Sequence, residues 1–280
     1  MHLFFDIGGT KTRMAFSENG KDFEDPKTFL TPEDFDEWLY CVERESAGII
    51  KGRKVSYIIC GIAGSLNKDK TMMLASPNIS GLVNKPIVKK LKKIFHADVK
   101  LENDAALAAL GEAVYGAGKN GKIVVYLTIS TGVGGARVVD KKIDISSFGF
   151  EPGHQIINIE EMNCDECDSK GELQDYIGGK NIEKKYGRKP EDIQDDKIWN
   201  DISDICAYGV NNAILFWSPD TVVLGGSMMN DPGISIDRVK KCLSESLNIF
   251  KDIPEIKKAS LEDFGGLYGA LALINSEKIK

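Results

Sequence analysis

The order of an apolar strand, a Gly-rich turn and a returning strand occurs twice in the chain. It spans Leu3 to Phe16 around Gly8-Gly9, and again Ile123 to Val139 around a turn that contains Gly132. Short apolar runs that end in glycines are typical of strands joined by tight turns. Because helical patterns alternate with further strands after the first of these openings, the sequence predicts a mixed α/β fold with a weak internal repeat.

A polar, Gly-rich segment from Gly116 to Gly121 lies between the two repeats and is the best candidate for a boundary. We therefore predict an N-terminal lobe over residues 1–117, completed by a C-terminal helix over 265–280. A C-terminal lobe would then cover residues 118–264.

Local signals predict where several helices begin and end. Thr31-Pro32 predicts a helix start, with the Thr31 hydroxyl as N-cap and proline at the first helical position, and this helix runs to about Ile50. Two further helical segments are predicted over Pro190–Trp217 and Ile234–Phe250.

The charge balance and the apolar pattern limit the partners of the chain. It has 280 residues and a formal net charge of -6, so nucleic acid and anionic membranes are poor partners. Its apolar stretches are far shorter than the ~20 residues that a membrane-spanning helix needs. The N-terminus lacks the basic region of a signal peptide, and the six cysteines are too scattered for a disulfide framework. We expect a cytoplasmic protein.

Three predicted strands end in Gly-rich turns. They are Asp6-Ile7-Gly8-Gly9-Thr10-Lys11, Ser130-Thr131-Gly132-Val133-Gly134-Gly135 and Leu224-Gly225-Gly226-Ser227. Glycine lets backbone N–H groups approach phosphate oxygens, although any one such turn alone is as often a simple strand connection. Three of them favour a nucleotide site, and Asp6 supplies a carboxylate for Mg2+. The run from Gly116 to Lys122 is not a P-loop, because Ile123 stands in place of the required Ser or Thr and the run precedes a strand instead of following one. No turn has the G-x-G-x-x-G pattern of a dinucleotide site.

A strand predicted over Val99–Asn103 places Asp104 at its C-terminal end, and a helix predicted over Ala105–Tyr115 follows. Phosphoryl transfer to a hydroxyl benefits from a carboxylate that positions the nucleophile and accepts its proton, and Asn103 can hydrogen-bond a sugar hydroxyl. Aspartate is also among the best N-caps, so Asp104 could simply cap the helix. The residues alone favour the cap and leave both roles open.

Five motifs, in this order, resemble those of the ROK family of sugar kinases and repressors. They are Asp6-Ile7-Gly8-Gly9-Thr10-Lys11, Glu102-Asn103-Asp104-Ala105, Thr131-Gly132-Val133-Gly134-Gly135, Glu151-Pro152-Gly153-His154 and Val222-Val223-Leu224-Gly225-Gly226. The resemblance covers nearly the whole chain. It implies the duplicated ribonuclease-H-like fold of the actin-like ATPases, with two lobes and a cleft between them in which ATP and sugar meet.

The resemblance also implies an activity and a set of site residues. The activity is ATP-dependent phosphorylation of a hexose or N-acetylhexosamine at the 6-hydroxyl, with Asp104 as general base and Mg2+ bound with the ATP. Nucleotide and phosphate contacts would come from Asp6, Gly8, Gly9, Thr10, Lys11, Thr131, Gly132, Gly225 and Gly226. Sugar contacts would come from Gly64, Asn78, Asn103, Asp104, Glu151, His154 and Gln174. The implied assembly is a homodimer.

The segment from Glu151 to Gln174 departs from the family pattern. Gln174 stands where the family often has a sugar-binding glutamate, so the sequence does not name the preferred sugar. Many members hold a structural zinc with one His and three Cys. The corresponding residues in this chain are His154, Cys164, Cys167 and Glu172, with Glu172 in place of the last cysteine. Zinc accepts carboxylate ligands, so a zinc site and a metal-free loop both stay open.

Three other functions compete with a sugar kinase. A regulator of this family would carry an added N-terminal helix-turn-helix, for which the sequence before Asp6 leaves no room. Another actin-like ATPase, acting on an acid or as a chaperone-like binding protein, would not explain the Glu151–His154 motif. A catalytically impaired sugar-binding protein would fit the changes at Glu172 and Gln174, but Asp104 is intact.

Overall fold

Strands and helices alternate along the chain, which confirms the predicted mixed α/β fold. The computed structural model describes residues 1–76, 78–162 and 169–277. The strands are β1 (His2–Ile7), β2 (Lys11–Ser17), β3 (Lys27–Leu30), β4 (Tyr57–Ile62), β5 (Ser65–Leu66), β6 (Met73–Ala75), β7 (Asp98–Asn103), β8 (Ile123–Ile129), β9 (Val133–Val139), β10 (Lys142–Ile143), β11 (Thr221–Gly225) and β12 (Glu255–Lys258). The helices are α1 (Phe35–Ile50), α2 (Ile87–Phe95), α3 (Asp104–Val114), α4 (Ile159–Met162), α5 (Leu173–Ile177), α6 (Gly179–Tyr186), α7 (Asp196–Trp217), α8 (Ile236–Ser246) and α9 (Gly265–Glu277).

Two five-stranded sheets have the same topology. The first has the order β3-β2-β1-β4-β7 and the second the order β10-β9-β8-β11-β12. In each sheet the first three strands pair antiparallel and the last two pairings are parallel. Parallel neighbours need crossover connections, which α1, α2, α7 and α8 provide along the chain. The repeat seen in the sequence is therefore a repeat of topology.

The contacts divide the chain into two compact units. The first contains Met1–Val114, Ile145–Gly149 and Asp263–Lys280, and the second contains Tyr115–Asp144 and Phe150–Glu262. The predicted functional lobes, 1–117 with 265–280 and 118–264, stay predictions. Within residues 1–76, 78–162 and 169–277, no helix is long and apolar enough to cross a membrane.

The two faces of the first sheet carry different packing. Leu3, Phe5 and Ile7 of β1 belong to a core that also takes in α1 and α2, with Trp38 of α1 fully buried in it. Strand alternation points Phe4 and Asp6 to the opposite face, where α9 packs against β1 and β4. The carboxylate of the first predicted phosphate motif therefore lies on the α9 face.

Glycines allow α3 and α9 to pack very closely in the first unit. A Cβ atom added at Gly111 of α3 would lie 2.3 Å from the carbonyl oxygen of Gly265, and one added at Gly269 of α9 would lie 1.8 Å from that of Leu107. Any side chain at either position would force the two helices apart. This contact fixes the helix that begins at Asp104 against the helix that approaches β1.

Helix α1 does not begin as predicted. Its N-cap is Asp34, whose carboxylate accepts hydrogen bonds from the N–H groups of Asp36 (2.9 Å) and Glu37 (3.0 Å), and the helix ends at Ile50 as predicted. The expectation that Thr31 caps this helix is wrong because its hydroxyl donates instead to the carbonyl of Gly8.

Two other predicted helices are shorter in the structure. Residues Pro190–Asp192 form a 3-10 turn, and α7 begins only after Asp195, which caps it by accepting from the N–H of Lys197. Helix α8 is capped by Ser235. Strand β12 was not predicted, since it has only four residues and three of them are charged.

Candidate active site

The first Gly-rich turn joins β1 to β2 and is held closed by its own backbone. The N–H of Gly8 donates to the carbonyl of Lys11 at 3.0 Å, while Gly9, Thr10 and Lys11 are exposed. A Cβ atom added at Gly9 would lie 2.8 Å from Cβ of Asn78, so only glycine lets the turn and this loop meet. The structure thus brings a predicted phosphate residue and a predicted sugar residue together within the first unit.

Asp6 lies beside this turn and carries a perturbed carboxyl group. Burial and, after it, the negative charge of Asp104 raise its pKa to about 6, against the lowering effect of the Arg13 guanidinium. Nη1 of Arg13 lies 3.4 Å from Asp6, and Nη2 lies 2.8 Å from Asp263. A Cβ atom added at Gly266 would lie 3.4 Å from the Asp6 carboxyl carbon, so the start of α9 packs directly against it. The carboxylates of Asp6 and Asp104 are therefore close enough in the first unit to repel each other.

Asn103, the last residue of β7, and Asp104 make different contacts at the start of α3. Asn103 accepts the N–H of Ala106 at 3.0 Å, three residues on, which is the N-cap hydrogen bond of α3. Asp104 is the first residue of the helix and accepts the neighbouring N–H of Ala105 at 2.9 Å. The preference for Asp104 as the cap is therefore wrong, because α3 begins at Asp104, one residue before the predicted start at Ala105, and the cap falls on Asn103.

Asn103 also connects the helix start to the Gly64 turn. Its Nδ2 donates to the carbonyl of Gly64 at 3.2 Å. Gly64 has φ +154, and a Cβ atom there would lie 2.5 Å from the carbonyl oxygen of Ala75, so the turn requires glycine. An amide can make four hydrogen bonds, so after these two Asn103 keeps one N–H and one lone pair for a ligand.

Two residues to which the sequence analysis gave no role, Glu102 and Lys70, support this segment. Glu102 accepts the N–H of Asn103 at 3.0 Å and forms an ion pair with Lys70. Lys70 adopts a left-handed conformation with φ +48, which is uncommon for a residue other than glycine. Nothing local in the sequence marks Lys70, since it lies 32 residues before its partner.

In the second unit, the turn after β8 has its carbonyl groups bonded within the protein. The carbonyl of Ser130 accepts the N–H of Gly179 (2.7 Å), and that of Thr131 accepts the N–H of Lys180 (3.1 Å). The carbonyl of Gly132 accepts the N–H of Ser130 at 2.9 Å. Carbonyl oxygens repel an anion, so a turn whose carbonyls face protein donors suits phosphate. The start of α6 was not recognised as part of this turn.

The third Gly-rich turn lies beside the second. The hydroxyl oxygens of Ser130 and Ser227 are 3.0 Å apart. Gly226 has φ +92, and a Cβ atom there would lie 2.2 Å from the carbonyl oxygen of Ile129. At Gly225 the same atom would lie 2.5 Å from the hydroxyl of Tyr126. Both glycines are thus required by close packing between the ends of β8 and β11.

Predicted sugar residues of the second unit form a hydrogen-bonded cluster. Nδ1 of His154 lies 2.8 Å from Oε2 of Glu172 and 3.2 Å from Nε2 of Gln174, which also donates to Glu172 at 2.9 Å. Desolvation raises the pKa of Glu151, against the lowering effect of His154. A Cβ atom added at Gly132 would lie 3.4 Å from Oε1 of Gln174, so this cluster adjoins the second turn.

The structure describes two of the four predicted zinc ligands. Cys164 and Cys167 lie outside the described residues, whereas His154 and Glu172 lie inside them and contact each other. Within 1–76, 78–162 and 169–277, no cluster of three or more His, Cys, Asp or Glu side chains could hold a metal ion.

Comparison with known proteins places the chain in one family. The N-acetyl-D-glucosamine kinase of Histophilus somni strain 129Pt is 28% identical to it, over 99% of this chain and 99% of that protein. The structure of a ROK hexokinase from Thermus thermophilus has a TM-score of 0.83 with 24% identity, covering 99% of each chain. A ROK family glucokinase from Streptomyces griseus, in complex with glucose and AMPPNP, has a TM-score of 0.77 with 23% identity, covering 97% of this chain and 98% of that one. Because the ROK family model matches residues 3–277, the chain belongs to the ROK family.

Proposed function

We propose that this chain is an ATP-dependent sugar kinase that phosphorylates a hexose or N-acetylhexosamine, with the 6-hydroxyl as acceptor. One observation carries the proposal. The half-buried Asp104 carboxylate stands at the C-terminal end of β7, and helix capping does not require it because Asn103 provides the cap. Membership in the ROK family and the N-acetyl-D-glucosamine kinase relatives support the kinase activity.

The proposed chemistry needs one proton acceptor. Asp104 hydrogen-bonds the attacking hydroxyl and takes its proton as the oxygen bonds to the γ-phosphorus, while the bond from that phosphorus to ADP breaks. The N–H and the lone pair that Asn103 keeps can orient the same sugar. This arrangement is supported by the placement of both residues on one strand end.

The carboxylate of Asp6 fits the metal of a Mg-nucleotide. Bound Mg2+ neutralises phosphate charge in such reactions, and it is usually held by one or two carboxylates together with phosphates. Asp6 fits this need because its carboxylate is destabilised by burial and by Asp104, which an added cation would relieve. The Gly-rich turns Gly8–Lys11 and Ser130–Gly132, with Gly225-Gly226, are the proposed phosphate and adenosine contacts. The cleft between lobes stays a prediction of the family resemblance.

The proposed sugar contacts come from two groups of side chains. Gly64, Asn78 and Asn103 belong to the first unit, and the cluster of Glu151, His154 and Gln174 to the second. N-acetylglucosamine is the first sugar to test, because several kinases that are similar in sequence are named for it. A catalytically impaired sugar-binding or regulatory protein is the alternative, favoured by the changes at Glu172 and Gln174.

A coupled ADP-release assay tests the proposal. It uses ATP, Mg2+ and a panel of glucose, fructose, mannose, N-acetylglucosamine and N-acetylmannosamine. We expect turnover of about 1–10³ s⁻¹ with at least one sugar, as is usual for enzymes. ADP release that no sugar raises above the sugar-free rate would contradict the kinase and favour the impaired binding protein.

Zinc in the segment that holds Cys164 and Cys167 is tested by metal content. Glu172 does not fit the fourth ligand well, since its carboxylate already accepts from Gln174 and contacts His154. We therefore expect less than ~0.2 equivalents of zinc in protein purified without chelator. Native mass spectrometry gives the metal content, and about one equivalent of zinc would contradict this expectation and support the zinc site.

Two further predictions concern the assembly of the protein and its location. The homodimer that the resemblance implies stays a prediction, which the mass of the native assembly tests. A cytoplasmic location likewise stays a prediction, in keeping with the use of ATP.

A further inference from the structure

A chain of polar side chains runs from the core of the first unit to the first Gly-rich turn. Nε1 of Trp38 lies 3.4 Å from the hydroxyl of Thr12, which lies 2.9 Å from the hydroxyl of Thr31, which lies 2.8 Å from the carbonyl of Gly8. Trp38 and Thr12 are fully shielded from solvent, and Thr31 is half-buried. This series of hydrogen bonds therefore links the buried indole of Trp38 to the exposed turn.

The chemistry of its two ends fixes the direction of every bond. The indole N–H of Trp38 can only donate and the carbonyl of Gly8 can only accept. Because Thr31 gives its single hydroxyl hydrogen to Gly8, the hydrogen between the two threonines must come from Thr12. All three bonds thus point toward the turn, and neither hydroxyl can rotate without breaking one of them.

Thr31 holds the turn a second time through its backbone. Its N–H donates to the carbonyl of Thr10 at 3.0 Å, while the carbonyl of Lys11 accepts the N–H of Gly8. The carbonyls of three turn residues, Gly8, Thr10 and Lys11, are thereby directed at protein donors. The turn of the second unit shows the same arrangement, with α6 in the role of Thr31. A turn constrained in this way keeps its carbonyl oxygens from facing an anion.

We propose that Trp38, Thr12 and Thr31 form a one-way hydrogen-bond relay that positions the turn Gly8–Lys11 for the phosphates of the nucleotide. Thr31 is the positioning residue, since it contacts the turn with both its hydroxyl and its N–H. The inference rests on the proposed kinase function, which supplies the nucleotide. It also accounts for the hydroxyl that helix α1 leaves unused, because Asp34 provides the cap of that helix.

The test compares two substitutions that differ by one hydroxyl. Thr31→Val keeps the shape and removes the bond to Gly8, whereas Thr31→Ser keeps the bond. Thr12→Val breaks the relay one step earlier. Ser46→Ala is the matched control, because Ser46 is a fully buried hydroxyl of α1 that bonds Met14 of β2 and does not contact the turn.

The expected result is a selective loss of nucleotide affinity. Thr31→Val should raise the KM for MgATP and the Kd for AMPPNP about tenfold, as loss of one well-placed hydrogen bond does, and leave the KM for sugar within about twofold. Thr12→Val should shift the same constants in the same direction. Thr31→Ser and Ser46→Ala should stay within about twofold of the wild type for both substrates.

Several outcomes would overturn the relay. These are an unchanged MgATP KM and AMPPNP Kd in Thr31→Val, equal rises in both KM values, or the same rise in Ser46→Ala. Calorimetric titration of AMPPNP separates this inference from the kinase proposal. A wild-type chain that binds AMPPNP but phosphorylates no sugar would defeat the kinase alone, and one that binds no nucleotide would defeat both. If Thr31→Val does not fold, the Thr12→Val and Thr31→Ser pair decides.

Discussion

Asp104→Asn should lower kcat for sugar phosphorylation about 10³-fold while the KM for sugar changes by less than about fivefold. The carboxamide has the same shape and can still accept the N–H of Ala105, but it cannot take the proton of the attacking hydroxyl. Helix α3 should be unaffected, because its cap is Asn103. Steady-state kinetics with saturating MgATP measures both constants.

Asp196→Asn is the matched control for this substitution. Asp196 is the first residue of α7, as Asp104 is of α3, and it is exposed. It should keep wild-type kinetics. A kcat for Asp104→Asn above about one tenth of the wild-type value would reject the base, because general base catalysis contributes at least about 10²-fold.

Asp6→Asn should make the protein more stable and nearly inactive. Burial and Asp104 raise the pKa of Asp6 from 3.8 to about 6, so the ionised carboxylate costs folding free energy at neutral pH. A shift of this size corresponds to about 3 kcal/mol. The loss of the partner for Arg13 offsets part of it, so we expect the free energy of unfolding at pH 7.5 to rise by about 1–2 kcal/mol. The kcat/KM for MgATP should fall at least about 10²-fold.

The difference in free energy of unfolding between Asp6→Asn and the wild type should depend on pH. Between pH 3.8 and about 6 the folded wild type binds the proton that the unfolded chain releases, so Asp6 lowers the free energy of unfolding as pH rises through that window. Asp6→Asn lacks this term, and its advantage should therefore grow from pH 4 to pH 7. Urea unfolding at several pH values measures it.

Asp263→Asn controls for the loss of one charge beside Arg13. The Asp263 side chain is 78% exposed, so its pair with Arg13 contributes less than about 1 kcal/mol and the substitution should change stability little. An Asp6→Asn protein that is less stable than the wild type at pH 7.5 contradicts the free-energy cost that we assign to the ionised Asp6 carboxylate. A stability difference between Asp6→Asn and the wild type that is the same at every pH contradicts it as well.

Local sequence rules located the strand ends but not the contacts made across them. The hairpin signal around Gly8-Gly9 predicted β1 and β2, yet it did not reveal that Asp6 and Arg13 are direct partners in the register of these strands. Strand register depends on the length of the turn, and a shift of one residue would have placed Arg13 on the other face. Asp263, which holds the other side of Arg13, lies 250 residues away and has no local signal.

The two errors at helix starts have different physical causes. At α3 the cap rule named Asp104, but the helix begins at Asp104 itself, one residue earlier than predicted, and its cap is Asn103. At α1 the rule named Thr31, whose hydroxyl is taken by a carbonyl 23 residues earlier in the chain. The first error is one of register, and the second is a tertiary contact that outweighs a local preference.

The glycine contact between α3 and α9 also bears on the order in which the chain can fold during synthesis. Helix α9 follows the whole second unit in the sequence, so the ribosome releases β1 through α3 long before the helix that covers them. Gly111 and the Asp6 side of the first sheet must therefore wait for residues 265–277 before their packing is complete. The half of the molecule that is translated first is the half that matures last.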